Sequence, residues 1–314
     1  MKAAIFDSFG DTGVVRIADI PRPQISEGEL LVRVHAAAVN PKDTFIRKGY
    51  LKRYTGETFP MLPGFDYAGE IAAVGSEIND FQVGDLVYGM LDGWQGATCA
   101  EFLAIYPDQA STKPETLSFI NAAAVPLVSS TALQAFRDEA GLQEGHEVCI
   151  NGASGGVGSV AVQIAKIMGA RVTAVSRAEN HEFLHGLGAD VCLDYREVDI
   201  TRSERLFDVF FDVFGNHRFE AIEPILTKEG IWVSTVLQSH VFESVAATQT
   251  SRGKKAKLVI VKSSREDLDL IRSWIDAGRL KPIVHSVFPL DQIQVAHAQQ
   301  ETKHTRGKLV ISIP

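Results

Sequence analysis

The sequence predicts an α/β protein in which a small β-rich domain is joined to a doubly wound parallel sheet. Residues 1 to about 120 contain many short strand-like runs separated by glycine and proline, which is typical of a small barrel or sandwich. From about 119 to 262, helical and strand patterns alternate, which predicts a parallel sheet with helices on both faces. With 314 residues, the chain is long enough for both domains.

The strands of the first domain are predicted from runs that are β-branched or that alternate apolar with polar residues. They are KAAIFDSFG at 2–10, ELLVRVHAAAV at 29–39, YAGEIAAVG at 67–75 and DLVYGM at 85–90. The closing run GKLVISI at 307–313 is too short to form a sheet alone, so we expect it to rejoin this domain. The predicted domains are therefore residues 1–121 with 263–314, and residues 122–262.

The second domain begins with a helical stretch at 121–140 and then alternates between strands and helices. The predicted strands are HEVCING, ARVTAVS, DVCLDY, LFDVFFDVFG and GIWVSTVL, and the helices between them include GGVGSVAVQIAKIMG and HEFLHGLG. Two more helices, at 265–280 and 291–301, precede the closing strand. Residues 51–60 and 239–250 carry no pattern that predicts a conformation, and we leave them as loops.

Composition and charge indicate which classes of partner are improbable and which cellular compartment to expect. Acidic residues outnumber basic ones 39 to 31, a net charge of −8, which argues against nucleic acid or anionic lipid as the main partner. No apolar run reaches about 18 residues, and the N-terminus lacks a signal-peptide core, so we expect no membrane segment. Three widely separated cysteines predict free thiols in the reducing cytoplasm.

The strongest motif is CINGASGGVGSVAVQIAK at 149–166, a strand that runs through a glycine-rich turn into a helix. Such a turn presents backbone N–H groups at the positive end of the helix, where a pyrophosphate binds. We expect phosphate contacts from Ser154, Gly155, Gly156 and Val157. Ala153 replaces the first glycine of the usual G-x-G-x-x-G motif, so the alternative is a turn that only packs helix against strand.

The end of the next strand predicts which dinucleotide is bound. NAD-binding sites usually place an acidic residue there to hold the ribose 2′-hydroxyl, but this chain has Ser176 and Arg177. A hydroxyl and a guanidinium attract a 2′-phosphate that a carboxylate would repel. We therefore expect NADPH as the cofactor, with a solvated surface arginine as the alternative interpretation of Arg177.

The stretch HEFLH at 181–185 matches the H-E-x-x-H pattern of zinc peptidases. On a helix, His181 and His185 would share one face, and Glu182 could activate a zinc-bound water. However, Val191 stands where the longer pattern has its third ligand, and Gly186 ends the helix at once. We therefore predict no metal site, although a zinc peptidase remains a testable alternative.

The order of the domains and several motifs resemble the medium-chain dehydrogenase/reductase superfamily over nearly the whole chain. These motifs are AAAVNPKDTFIRKG, LPGFDYAGEIAAVG, VGDLVYG, PLVSSTAL, GASGGVG, LGADVCLDY and GKLVISI. The stretch from Gly145 to Lys166 resembles the signature of its quinone oxidoreductase, or zeta-crystallin-like, branch. The G-H-E of zinc-binding relatives is Gly64-Phe65-Asp66 here, and no cysteine follows Asn40, so the resemblance is to the zinc-free branch.

This resemblance implies a GroES-like β-barrel catalytic domain, a Rossmann domain that binds NADPH, and a hydride transfer without zinc. The implied substrates are quinones or the C=C bond of α,β-unsaturated carbonyl compounds, because no Lewis acid is present to polarise a simple carbonyl. The alternative is a non-catalytic protein that binds NADPH, as in crystallin-like or regulatory relatives. A homodimer is also implied, formed through the edge strand DVFF or KLVIVK.

The resemblance further assigns roles to individual residues. Asn40 would contact the nicotinamide ribose and position the substrate, although it could instead cap the turn before Pro41. Thr131 would begin a helix that faces the nicotinamide, with simple capping as the alternative. Tyr195 would lie near the 2′-phosphate, or it could be a packing residue at a strand end. Phe45 replaces a frequent tyrosine, which leaves Tyr50 and Lys42 as candidate proton donors.

Overall fold

The computed structural model describes all 314 residues, and the chain divides into two compact units. Unit 1 comprises Met1–Ser130 and Lys262–Pro314, and unit 2 comprises Thr131–Val261. The C-terminal segment thus returns to the N-terminal unit, as the short closing strand predicted.

The chain contains fifteen strands. They are β1 (Lys2–Phe6), β2 (Val15–Asp19), β3 (Leu30–Val39), β4 (Asp66–Val74), β5 (Leu86–Met90), β6 (Phe102–Ile105), β7 (Ala110–Thr112), β8 (Glu147–Asn151), β9 (Arg171–Ser176), β10 (Val191–Asp194), β11 (Phe207–Asp212), β12 (Leu226–Ser234), β13 (Lys255–Leu258), β14 (Val284–Pro289) and β15 (Lys308–Ser312).

The α-helices are mostly short. They are α1 (Pro41–Arg47), α2 (Lys52–Thr55), α3 (Phe119–Ala123), α4 (Pro126–Gln134), α5 (Gly156–Ile167), α6 (His181–Gly186), α7 (Phe219–Ile222), α8 (Ser239–Thr248), α9 (Arg265–Asp276) and α10 (Ile293–Glu301). The predicted helix at 121–140 is interrupted before Pro126, because proline lacks the N–H that would continue the helical ladder. Helix α8 occupies most of the segment 239–250, so leaving that segment as a loop was wrong.

Unit 1 is built on a mostly antiparallel sheet of seven strands in the order β14-β15-β3-β4-β5-β7, with β6 also paired to β3. The closing strand β15 pairs antiparallel with β3, with Leu309 opposite Val39. A core of fully buried residues lies inside this unit and includes Phe6, Phe65 and Tyr67. The expected return of the C-terminal strand to the β-rich domain is therefore confirmed.

Unit 2 is built on a six-stranded sheet in the order β10-β9-β8-β11-β12-β13, and every pair in it is parallel. The chain order reverses between β8 and β11, which is the point where doubly wound sheets bind their ligands. The predicted α/β fold class is confirmed. The suggestion that DVFF forms an edge strand is wrong, because β11 lies between β8 and β12.

The stretch Phe119–Glu139 passes a test of length and apolar composition for a membrane-spanning helix. However, 72% of an 18-residue apolar part of this stretch is buried inside the protein. The apolar composition of this stretch therefore has a packing role in the fold, as it has in the core helices of many globular proteins.

Candidate active site

The glycine-rich loop of unit 2 connects β8 to α5 in a tight turn. Gly152 adopts a φ of +83°, a conformation that side-chain-bearing residues rarely adopt. The N–H groups of Gly152 and Ala153 donate to the carbonyl oxygen of Val175, at 3.2 and 3.1 Å. These bonds hold the loop against β9, so the start of α5 is fixed at the carboxyl edge of the sheet.

The first turn of α5 has N–H groups without a partner in the protein. Gly155 is the N-cap and offers no side chain, and the first helical bond runs from the N–H of Ser159 to the Gly155 oxygen at 2.9 Å. The N–H groups of Gly156, Val157 and Gly158 therefore meet no acceptor. Three unpaired donors at the positive end of a helix fit a pyrophosphate.

Gly158 permits the close approach of the helix to the loop. A Cβ atom at this position would lie 2.2 Å from the Gly152 oxygen and 2.6 Å from the Ala153 Cα atom. A Cβ atom on Gly155 would meet only the Gly152 oxygen, at 3.6 Å. The glycine at 158 is therefore required by packing, whereas the one at 155 leaves open space above the helix.

A cluster of polar side chains lies where β9 ends. The hydroxyl of Ser176 donates to the Ser154 hydroxyl at 3.0 Å, and the Asn180 amide donates to both hydroxyls, at 2.9 and 3.2 Å. The glycine loop is thus linked directly to the end of β9. No carboxylate stands at the position where NAD-binding sites usually carry one.

Arg177 and Tyr195 meet at the adjacent strand ends. The Arg177 Nε atom donates to the Tyr195 hydroxyl at 2.8 Å, and its guanidinium lies 3.5 Å from the Glu179 carboxylate. Tyr195 directly follows β10 and is 51% exposed. Arg177 and Tyr195 therefore present a cation and a hydroxyl at one edge of the sheet.

The buried carboxylate of Asp194 has its own partners at this edge. Hydrogen bonds from the Arg196 side chain, the closest at 2.8 Å, hold the pKa of Asp194 well below its usual range. The backbone N–H of Ala178 also donates to it, at 2.9 Å. These donors satisfy the Asp194 carboxylate from within unit 2.

In unit 1, Asn40 is the centre of a buried polar network. Its side-chain amide donates to the Asp66 carboxylate at 2.8 Å, and its side-chain oxygen accepts from the ammonium of Lys308. Lys308 also forms a salt bridge with Asp66 at 3.0 Å, and these three residues are at most 4% exposed. Asn40 therefore connects the end of β3 to β4 and β15.

Asn40 is also the N-cap residue of α1, although its side chain bonds Asp66 and Lys308 and makes no capping hydrogen bond to the helix. The Asn40 N–H donates to the Asp43 carboxylate at 2.7 Å, which is one of the two bonds of a capping box. The Gly64 N–H donates to the other Asp43 oxygen, also at 2.7 Å. Burial raises the pKa of Asp43 to about 6, against the lowering effect of these two donors.

The two candidate proton donors have different surroundings. Tyr50 is 71% exposed, and its only ring contact is with Phe45 at 6.3 Å between centroids. Lys42 is half-buried, and its ammonium lies 3.8 Å from the centre of the Phe65 ring and 4.9 Å from that of Trp94. Trp94 in turn stacks on Tyr54 at 4.7 Å. No sequence pattern indicated these aromatic contacts of Lys42.

Thr131 is buried within α4, which begins at Pro126. It therefore lies in the middle of the helix, and both the expected position at the helix start and the capping alternative are wrong. Ser129, Ser130 and Thr131 are three consecutive residues of the kind that caps helices, so the sequence did not locate the helix start at Pro126.

The HEFLH stretch forms α6, a helix of six residues. The Nδ1 atom of His185 lies 2.8 Å from the carbonyl oxygen of Ala189, with which it makes a local hydrogen bond. No group of three or more His, Cys, Asp or Glu side chains in the structure could hold a metal ion. The donor set that zinc requires is therefore not assembled by these residues.

A parallel-sheet unit with a dinucleotide-type glycine loop, joined in one chain to an antiparallel unit, is the architecture of a class of dehydrogenases and reductases. The model for the alcohol dehydrogenase GroES-like domain matches residues 26–115. The model described as zinc-binding dehydrogenase matches residues 187–311. Despite that description, the matched residues include no group of three or more His, Cys, Asp or Glu side chains that could hold a zinc ion.

Proteins with similar sequences and structures cover the whole chain. Mouse NAD(P)H oxidoreductase RTN4IP1, mitochondrial, is 31% identical over 100% of this chain and 89% of its own length. The 2-methylene-furan-3-one reductase of Solanum lycopersicum is 34% identical over 99% of this chain and 79% of its own. The structure of the quinone oxidoreductase from Coxiella burnetii has a TM-score of 0.92 and 32% identity, with 100% and 99% of the two chains covered.

The chain belongs to the medium-chain dehydrogenase/reductase superfamily, and it is an oxidoreductase. The predicted membership and the predicted enzymatic class are confirmed. The unpaired N–H groups of α5 and the polar strand ends of unit 2 fit a nicotinamide dinucleotide.

Proposed function

We propose that the protein is an NADPH-dependent reductase of quinones or of the C=C bond of α,β-unsaturated carbonyl compounds, and that it works without zinc. Relatives named quinone oxidoreductase and NADPH-dependent alkenal/one oxidoreductase support this substrate class. One observation carries the proposal: three N–H groups at the start of α5 are unpaired, and the neighbouring strand end has no carboxylate at position 176.

The choice of NADPH over NADH rests on the edge formed by β9 and β10. Ser176, Arg177 and Tyr195 offer two hydroxyls and a guanidinium to a 2′-phosphate. Two carboxylates lie at this edge: the charge of Asp194 is compensated by Arg196, and Glu179 lies 3.5 Å from the Arg177 guanidinium. We propose that Ser154, Gly155, Gly156 and Val157 bind the pyrophosphate at the other side of this cluster.

Bound reduced nicotinamide supplies a hydride, and the residues of this chain bind and orient the reactants. Asn40 is proposed to position them through a side chain that Asp66 and Lys308 hold fixed. Thr131 is proposed to contribute to the cofactor site from the middle of α4. A proton must also reach the reduced substrate, and Lys42 and Tyr50 remain its two proposed donors.

Two proposals concern the assembly and the compartment. The edge strand β13 pairs only with β12 within this chain, so a second copy can add to it and form a homodimer. The cytoplasm remains the proposed compartment, because all three cysteines are free thiols. The relatives named above include proteins with mitochondrial and chloroplastic names.

The decisive test is a turnover panel on the purified protein. NADPH oxidation is followed at its absorbance maximum with a para-quinone, a 2-alkenal or a saturated aldehyde. NADPH formation from the oxidised cofactor and a simple alcohol is followed at the same wavelength. We expect turnover with the quinone or the alkenal and none with the aldehyde or the alcohol. NADPH binding without oxidation by any acceptor would instead support the non-catalytic alternative.

A further inference from the structure

The ammonium of Lys42 makes cation–π contacts with the rings of Phe65 and Trp94. The Nζ atom lies 3.8 Å from the Phe65 ring centre and 4.9 Å from that of Trp94. Ring faces attract a cation by their quadrupole but accept no proton and form no strong hydrogen bond. The two cation–π contacts therefore hold the ammonium in position without using its N–H groups.

Only one of the three N–H donors of this ammonium is used within the protein. It donates to the backbone oxygen of Gly93, and Lys42 forms no salt bridge. A lysine ammonium has three donors and no acceptor. Two N–H bonds of a half-buried, fixed cation thus remain available to a bound molecule.

The groups that face Lys42 set how easily it releases a proton. Burial lowers its pKa to about 8, against the opposing attraction of Asp43, Asp92 and Asp66. Asp43 and Asp66 are themselves occupied, because Asp43 accepts two backbone N–H groups and Asp66 pairs with Lys308. A pKa near the working pH suits a group that must be protonated and must also lose its proton.

We infer that Lys42 is the catalytic acid that protonates the reduced substrate, an inference that rests on the proposed function. When hydride adds to the β-carbon of an enone, the substrate becomes an enolate. One N–H bond of Lys42 then breaks as a C–H bond forms at the α-carbon. The neutral amine takes a proton back from water, so the net reaction consumes one NADPH and one proton per C=C bond.

Tyr50 is the weaker candidate because nothing holds its hydroxyl. Its ring is 71% exposed, and the structure gives the hydroxyl no hydrogen bond. Lys42 differs because its ammonium is held in place beside the Phe65 and Trp94 rings.

The test compares Lys42→Met and Lys42→Arg with Lys228→Met, which makes the same change at an exposed lysine of unit 2. With a 2-alkenal and NADPH, we expect Lys42→Met to lower kcat about 10²-fold, which is typical for the loss of a general acid. Lys42→Arg keeps the cation but not the acidity, so we expect it to stay about 10-fold or more below the wild type. NADPH affinity and Lys228→Met should remain unchanged.

The pH dependence and a direct titration give readouts that a structural role would not change. The wild-type kcat should fall as pH rises through about 8, because Lys42 must be protonated. The profiles of both Lys42 variants should be flat there. In the protein labelled with ¹³C-lysine, the signal that Lys42→Arg removes should titrate near 8 rather than at the ordinary 10.5.

Three results would overturn the inference. They are a Lys42→Met variant within about threefold of the wild-type kcat, full activity of Lys42→Arg with an unchanged pH profile, and a Lys42 signal that titrates at its ordinary pKa. In each case, wild-type turnover would leave the proposed function standing. If the wild type fails to oxidise NADPH with every acceptor of the panel, the proposed function and this inference are both overturned.

Discussion

At the scale of the residue, the buried network around Asn40 explains why side chains far apart in the sequence share one site. Asn40, Asp66 and Lys308 come from the end of β3, the start of β4 and the start of β15. The charges of Asp66 and Lys308 are removed from water, so each depends on the other for compensation, and the neutral Asn40 amide adds hydrogen bonds to both. The sequence predicted Asn40 but not its partners, because contacts across 26 and 268 residues leave no local pattern.

Breaking this network on one side leaves a buried charge. We expect Lys308→Met to lower the free energy of unfolding by about 3 kcal/mol, because the Asp66 carboxylate loses its cation. Adding Asp66→Asn should restore much of that loss, since an amide can still accept from the Leu127 N–H. Urea unfolding of the two single variants and the double variant measures this. Additive losses in the double variant would show that the two charges do not interact.

We propose that cofactor preference depends most directly on Arg177. We expect Arg177→Ala to weaken NADPH binding about tenfold and to leave NADH binding nearly unchanged, because only the 2′-phosphate loses a charged hydrogen bond. Arg202→Ala is the matched control, since Arg202 is an exposed arginine of the same unit paired only with Asp199. Fluorescence titration with both cofactors measures the change. An equal loss for NADH would refute a role in phosphate recognition.

At the scale of the element, strands and helices with strong periodicity were predicted well, whereas an uncapped helix such as α8 was not. The strand β8, the loop and α5 follow from the switch between apolar runs and glycine. Helix α8 was missed because its N-cap, Gln238, forms no side-chain cap bond and the segment lacks a clear apolar face. Trp94 and Phe65 could not be placed beside Lys42, because only the tertiary fold joins their loops to α1.

The close contact of α5 with its loop gives a prediction about both stability and cofactor binding. We expect Gly158→Ala to lower the free energy of unfolding by about 1–3 kcal/mol and to weaken NADPH binding, because the new Cβ atom would overlap loop backbone. Gly186→Ala on α6 should have little effect, since nothing lies within 4 Å of its Cβ position. Thermal unfolding and cofactor titration measure both. A Gly158→Ala variant as stable as the wild type would contradict the close packing.

At the scale of the whole molecule, the two units separate the tasks that the sequence assigned to two domains. We propose that unit 2 holds the dinucleotide and that unit 1 provides Asn40, which positions the substrate, and Lys42, which protonates it. The predicted boundary at 121/122 lies nine residues before the division at 130/131, since α3 and the first half of α4 group with unit 1. Apolar helical sequence continues through that boundary, so no pattern in the sequence marks it.

The measurement that tests the central claim most directly is calorimetric titration of NADPH and NADH into chelator-treated protein, followed by turnover of the same sample with a quinone and a 2-alkenal. We expect binding of both cofactors, with NADPH about tenfold tighter, since Arg177 and Ser176 are the residues proposed to bind the 2′-phosphate. We also expect full activity without added metal, because no residues assemble a zinc site. A sample that binds neither cofactor, or that regains activity only with zinc, would contradict the account.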